Sequence, residues 1–271
     1  MAKLFGVNYE KEGKGVKKNE PQKKAFFKFF DIYFSNFWKF MAVGVLQLLF
    51  GCTVILNGFG NVGAAYIMRA ATNEKHSFLL HDFFETIKKN WKQALVAGIF
   101  NVLFTALLVF DFYFFFIQKQ NTFAIVGMAL AMFLFVVFNG MKYYIWQLII
   151  TFDFKITKIY KNAFRLFFIK PFRNMLIQLL FGVCYALPAL SFYFKIIPDT
   201  IMVGIYVLSA MLFFPGFRAF LITFNSFRVI RKIMIDPYYA AHPGADLEKR
   251  EALGILEHTR TEDETIFEDR G

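Results

Sequence analysis

Few residues in this chain combine a reactive side chain with a position where it could do chemistry. Asp111 is the foremost. It lies in the apolar run Ala94–Phe116, five residues before Phe116, so about 8 Å below the end of a helix rising 1.5 Å per residue. A carboxylate at that depth is either satisfied near an interface, by water or the Tyr113 hydroxyl, or holds a cation or a proton. Gly58 and Gly60 form the second candidate. Two glycines and two asparagines in Asn57-Gly58-Phe59-Gly60-Asn61 read as a break in a helix, and interrupted membrane helices are where substrates bind. Asn139 is the third. With Asn101, Gln178 and Asn225 it is an uncharged polar group among apolar neighbours, suited first to helix–helix hydrogen bonds and secondly to a substrate. Lys142 stands about 30 Å along its helix from Thr122, which places it among headgroups and away from Asp111. Arg218 reads the same way.

Other chemistries lack their residues. His76, His81, His242 and His258 fall in connections or tails. No HExxH, no CxxC and no His pair on one helix face occurs, so no metal is expected. Gly58-Phe59-Gly60 lacks the GK[ST] and the preceding strand of a nucleotide loop. No Ser/His/acid set can be assembled, so no catalytic residue, no cofactor and no enzyme activity is expected. Cys52 and Cys184 sit in apolar runs and read as small hydrophobes between helices, not as a disulfide.

The elements that must hold these residues are dominated by two apolar runs, Ala94–Phe116 and Thr122–Met141, joined by the turn Ile117–Asn121. About 20 apolar residues match a hydrocarbon layer of roughly 30 Å, so both read as spans, antiparallel across a short turn. Composition agrees. The chain is 57% hydrophobic and holds 40 Phe, above the roughly 45–50% apolar content of soluble domains. Further spans are expected at Phe37–Leu56, Asn174–Phe194 with Pro188 inside it, and Thr200–Phe224 with a kink at Pro215-Gly216. Val62–Ala71 is too short for a regular span and reads as a re-entrant helix or a short tilted return with Arg69 snorkelling. Ala25–Lys39, His76–Lys92 and Phe154–Arg173 interleave aromatic and charged residues, as helices lying in an interface do. The predicted fold is all-α: a polytopic transmembrane helical bundle of five full spans plus a short or re-entrant helix, with interfacial amphipathic helices.

Charge sets orientation. The chain carries +11, but ten acids against four bases follow Lys232, so the preceding part carries +17. The bases flank apolar runs, which points to anionic lipid and not to nucleic acid. The turns 117–121 and 195–199 hold one base each, whereas 73–92, 154–173 and the amino-terminal tail are rich in Lys and Arg. The positive-inside rule then puts the long connections and both tails in the cytoplasm, provided Gly58–Ala71 returns the chain; the alternative is an external amino terminus. Trp38, Trp91 and Trp146 fall at the same interface. The expected organisation is a polar basic tail over 1–24, with no cleavable signal peptide, a transmembrane domain over 25–235, and an acidic cytoplasmic tail over 236–271. Asp236-Pro237 should end the last helix, and a short helix is expected at Asp246–Leu256. A weak repeat runs through the chain. Phe29-Phe30-Asp31 with Asn36-Phe37-Trp38-Lys39, Phe83-Phe84-Glu85 with Asn90-Trp91-Lys92, and Phe164, Phe167-Phe168 with Pro171-Phe172-Arg173 each precede a hairpin.

This order of features resembles the YesL family of bacterial integral membrane proteins over roughly residues 25–235. The resemblance rests on the small-residue segment Gly58–Tyr66 and above all on Asp82-Phe83-Phe84-Glu85-Thr86-Ile87-Lys88-Lys89-Asn90-Trp91-Lys92-Gln93-Ala94. Where family members often have Leu-Pro, this chain has Leu56-Asn57. The resemblance implies a multi-pass protein of the bacterial cytoplasmic membrane. It also implies an accessory or regulatory role in carbohydrate uptake, beside a sugar transporter permease or sensor. The alternative is a small-molecule or ion transporter or channel in its own right. The resemblance supplies no site residues.

Overall fold

The computed structural model describes residues 24–118, 121–194, 199–242 and 246, and among these every regular element is helical. In chain order they are α1 (Ala25–Ser35), α2 (Phe37–Gly51), α3 (Asn57–Thr72), α4 (Leu79–Ile117), α5 (Thr122–Thr151), α6 (Ile156–Ile169), α7 (Pro171–Tyr193), α8 (Asp199–Leu208), α9 (Phe214–Ile230) and α10 (Asp236–Ala241). One π-helical turn, Ser209–Phe213, joins α8 to α9, and another, Arg231–Ile235, joins α9 to α10.

Two helices, α4 and α5, are each long and apolar enough to cross a membrane. Two bent pairs, α1–α2 and α6–α7, raise the number to four if each pair is one span. Only 22% of the most apolar window of α4 and 28% of that of α5 is buried inside the protein. The rest needs a lipid solvent, which makes this a helical membrane protein. The turn between α4 and α5 is opened by Asn121, whose side chain accepts from the Phe123 amide at 3.1 Å, an N-cap.

At each of the two bends a short amphipathic helix turns sharply into the next helix. α1 meets α2 at 79° across Asn36, and α6 meets α7 at 92° across Lys170. α6 buries Ile159, Ala163, Leu166 and Phe167, a helical stripe, and leaves Lys158, Lys161 and Arg165 exposed. α1 is pinned by Phe29 and Tyr33. Phe29 stacks on Phe220 of α9 with centroids 4.9 Å apart, and Phe40 of α2 stacks on the same ring at 4.5 Å. The corresponding middle segment does not bend: Leu79 to Ile117 is one helix of 39 residues. The three-fold repeat is therefore geometrically present in its first and last copies only.

α3 departs most from expectation. Asn57–Asn61 is not a break. The irregular stretch is 52–56, closed by the Thr53 hydroxyl accepting from the Leu56 amide at 3.1 Å, and the helix starts at Asn57. α3 runs 16 residues, about 24 Å, and 11 of them are buried. Its glycines and alanines let α2, α4, α5 and α9 close around it, the packing that small residues permit between membrane helices. Arg69 does not snorkel. It is buried, donates to the Thr151 hydroxyl of α5 at 2.8 Å, and lies over the rings of Tyr66 and Phe227. At the other end of the chain Asp236-Pro237 does not stop the helix. The π-turn absorbs the proline, α10 follows, and Tyr239 is buried. The two tails, the middle of each short turn and the expected helix 246–256 lie outside the described residues or almost wholly so.

Candidate functional site

A cavity of about 760 Å³ opens among α2, α3, α4, α5, α7 and α9. Its size is that of small-molecule sites, roughly 300–1,000 Å³. A more open depression at the α1–α2 corner, lined by residues 34–39, gathers no comparable set of polar groups. α3 is the reason the large cavity is polar. Its first turns present Asn57 and Asn61, and its small residues leave room in front of them. Gln47 of α2 donates to Asn61 Oδ1 at 2.6 Å, and Asn61 donates to Asn57 Oδ1 at 3.0 Å, so three amides form one wall.

α4 supplies Asn101 and Thr105. The Thr105 hydroxyl donates to the Asn101 carbonyl oxygen at 2.6 Å, and Asn101 Oδ1 accepts from the Tyr160 hydroxyl of α6 at 2.8 Å. α5 supplies Lys142, Tyr143, Trp146 and Gln147. Gln147 is 1% exposed and its amide donates to the Ala65 carbonyl of α3 and to the Thr223 hydroxyl of α9, both at 3.1 Å. It ties the three inner helices together at the cavity wall. α9 contributes Arg218, whose guanidinium lies 5.7 Å from the centre of the Phe181 ring of α7.

Lys142 corrects the reading from sequence. Its ammonium donates to the Thr105 hydroxyl at 3.3 Å and lies 5.7 Å from the Phe138 ring. Thr105 is 12 residues, about 18 Å, from the end of α4 at Ile117, so the charge sits at bilayer depth and not among headgroups. The cause is direction. Helical side chains lean toward the helix N-terminus, and α5 starts at the hairpin tip. Lys142 therefore reaches back into the bundle. Arg218 likewise lines the cavity. Trp146, expected at an interface, lines it too, as does Gln147.

Two cations thus share one cavity, and among the described residues no carboxylate lines it. A lone Lys or Arg at the middle of a membrane helix costs about 3 kcal/mol on the insertion scale. Three wall residues also keep a buried polar atom with no partner in the protein: Arg218 Nε, Asn101 Nδ2 and Gln147 Oε1. Two of the three are donors. The arrangement offers positive charge and N–H groups to whatever fills the cavity.

The residues singled out from sequence fall elsewhere. Asp111 is partly exposed on the distal half of α4 and does not line the cavity. Asn139 is half-buried one turn before Tyr143, also off the cavity. Gly58 and Gly60 are buried packing positions. A Cβ at Gly58 would strike the Ala94 carbonyl of α4, and one at Gly60 would stand 2.8 Å from Phe50 Cβ of α2. Asn101, Gln178 and Asn225 make the expected interhelical bonds, to Tyr160, the Val136 carbonyl and Asn174. Cys52 is exposed at the cavity edge rather than packed between helices. His81, Asp82 and Glu85 bring three ligand-type atoms within 4.8 Å. Asp82 there accepts from the Phe78 amide at 2.9 Å, and Glu85 pairs with Lys89 at 2.8 Å, which are a helix start and an (i, i+4) ion pair.

The chain has no match among curated proteins or solved structures. A family model described as "Protein of unknown function, DUF624" matches residues 60–112, which cover most of α3, its connection, and α4 through Asn101 and Thr105 of the cavity wall.

Proposed function

We propose that this protein binds a small polar solute in the cavity between its inner helices, as a non-enzymatic component of solute uptake in a bacterial cytoplasmic membrane. The observation that carries this reading is the cavity itself. It has the volume of a small-molecule site, and six helices converge on it with amide, hydroxyl and cationic groups. Membrane interiors keep such groups where a solute or ion passes or docks. The arrangement favours a carrier acting in its own right.

The second reading is an accessory or regulatory subunit beside a sugar transporter permease or sensor. It is supported by the resemblance to YesL proteins, which are DUF624 members, and by the overlap of the matched segment with the Asp82–Ala94 motif. The topology that fits both readings has five crossings, α2, α4, α5, α7 and α8–α9, with α3 as a short return. Both termini and the basic helix α6 then face the cytoplasm and its anionic lipid.

Purified protein in liposomes separates the readings. Saturable uptake of a sugar or organic acid is expected of a carrier. Saturable binding without flux, together with a co-purifying permease, is expected of the accessory subunit. Neither binding nor flux for any solute would overturn both.

A further inference from the structure

We propose that the solute is an anion, and that Lys142 and Arg218 together hold its carboxylate or phosphate group. This rests on the cavity being a binding site, and it names the chemistry of what binds.

Three cations in one bundle differ in how the protein partners them. Arg69 shows what a structural cation looks like here: buried, donating to the Thr151 hydroxyl at 2.8 Å, and covered by two aromatic rings. It faces no cavity. Lys142 has one long hydrogen bond, 3.3 Å to Thr105, and one ring. Arg218 has one ring at 5.7 Å and a buried Nε without a partner. Both line the same space, where like charges repel unless something negative lies between them. Among the described residues the cavity wall holds no Asp or Glu to do this. Intramembrane cations are ordinarily paired with a carboxylate or a carbonyl, so these two are under-partnered by the protein.

The geometry fits an oxyanion better than a halide. Arg offers a planar fork that matches carboxylate or phosphate oxygens in a bidentate way, and Lys adds a point charge from the facing helix. Asn101 stands on the Lys142 side of the wall, with its buried Nδ2 unpartnered in the protein. The amide wall Gln47–Asn61–Asn57 lies on α2 and α3 and can meet hydroxyls on the body of the solute. The anionic group belongs either to a free organic acid or phosphate ester, or to a lipid headgroup entering from the bilayer. Both present the same oxygens.

The test is thermal unfolding of the full-length protein in nanodiscs, titrated at constant ionic strength with inorganic phosphate, sodium gluconate or neutral glucose. Phosphatidylcholine and phosphatidylglycerol discs are compared. A free anion is indicated by saturable stabilisation by phosphate or gluconate in phosphatidylcholine. A lipid headgroup is indicated by stabilisation in phosphatidylglycerol that free anions do not increase. In either case Lys142→Gln and Arg218→Gln should each weaken the effect about tenfold or more, since a hydrogen bond to a charged group is lost. Arg218→Lys should recover part of it. Arg69→Gln should lower the unfolding temperature and leave the anion dependence unchanged, which separates a binding role from a folding one. Stabilisation by glucose alone would sink the anion proposal and leave the binding cavity standing. No saturable effect of any solute or lipid would sink both, as would an anion effect indifferent to Lys142→Gln and Arg218→Gln.

Discussion

Gln147 shows how a single buried side chain sets the position of this site. It is closed off from solvent, and its one amide nitrogen serves acceptors on α3 and α9. Interhelical hydrogen bonds in membranes are worth about 0.6–1.7 kcal/mol. Gln147→Leu should therefore lower stability by roughly 1–2 kcal/mol, seen as a drop of a few degrees in the unfolding temperature of the solubilised protein. An unchanged transition would mean that the bridge does not hold the inner helices. Asp111 makes the opposite prediction. It stands outside the cavity, so Asp111→Asn should leave solute binding and membrane yield as they are, measured by titration on the purified variant. Polar residues were visible in the sequence, but their roles were not. A lone acid such as Asp111 is conspicuous in an apolar run. The place of Lys142 depends on the tilt of its side chain toward the helix N-terminus as well as on distance along the helix. That tilt was available from sequence once the hairpin order was known. The meeting of Lys142 with Arg218, 76 positions away, was not.

At the scale of helices, close approach decides the architecture. A Cβ on Gly98 of α4 would stand 2.5 Å from the Gly58 amide nitrogen of α3, and one on Gly44 of α2 would stand 2.6 Å from the Gly216 nitrogen of α9. Gly58→Val and Gly98→Val should thus each force α3 from α4 at a cost of about 1–3 kcal/mol. Gly182→Ala in α7, where nothing lies within 4 Å, should be neutral. The comparison is read from membrane-integrated yield and unfolding temperature. Equal effects at Gly58 and Gly182 would contradict the packing. The glycines of α3 were legible as special but were assigned the wrong reason. Gly and Asn punctuate chains in water, whereas inside a membrane bundle Gly more often marks contact between helices. The amphipathic elements were read more securely. α1 and α6 carry their charges on one face, and both turn sharply into the next helix, by 79° and 92°. The middle element has the same pattern, but no irregular residue interrupts it, and it forms the first turns of α4 itself.

The whole molecule is a bundle of helices whose outer surfaces suit lipid and whose centre holds a cavity lined by polar groups. Exposed apolar side chains on α4 and α5, such as Leu103, Phe110, Phe123 and Phe133, would be an aggregation hazard in water and are ordinary against acyl chains. That partition was legible from hydropathy. The number of crossings was less so, because α3 is short and the α8–α9 run is interrupted by a π-turn before Pro215. The positive-inside rule makes a sidedness prediction that can be checked. In intact cells Lys161→Cys on α6 should resist a membrane-impermeant thiol reagent, and it should react in inverted vesicles, on a Cys52→Ser, Cys184→Ser background. Labelling of that cysteine from outside would reverse the orientation.

The most direct measurement is a cryo-electron microscopy map of the protein in a lipid nanodisc, at a resolution that shows side chains. The account predicts Lys142 and Arg218 facing each other across an interior cavity, at the depth of the acyl chains, with Thr105 beside the ammonium. Lys142 extended into the headgroup layer, with α3, α5 and α9 packed on one another and no cavity between them, would contradict it.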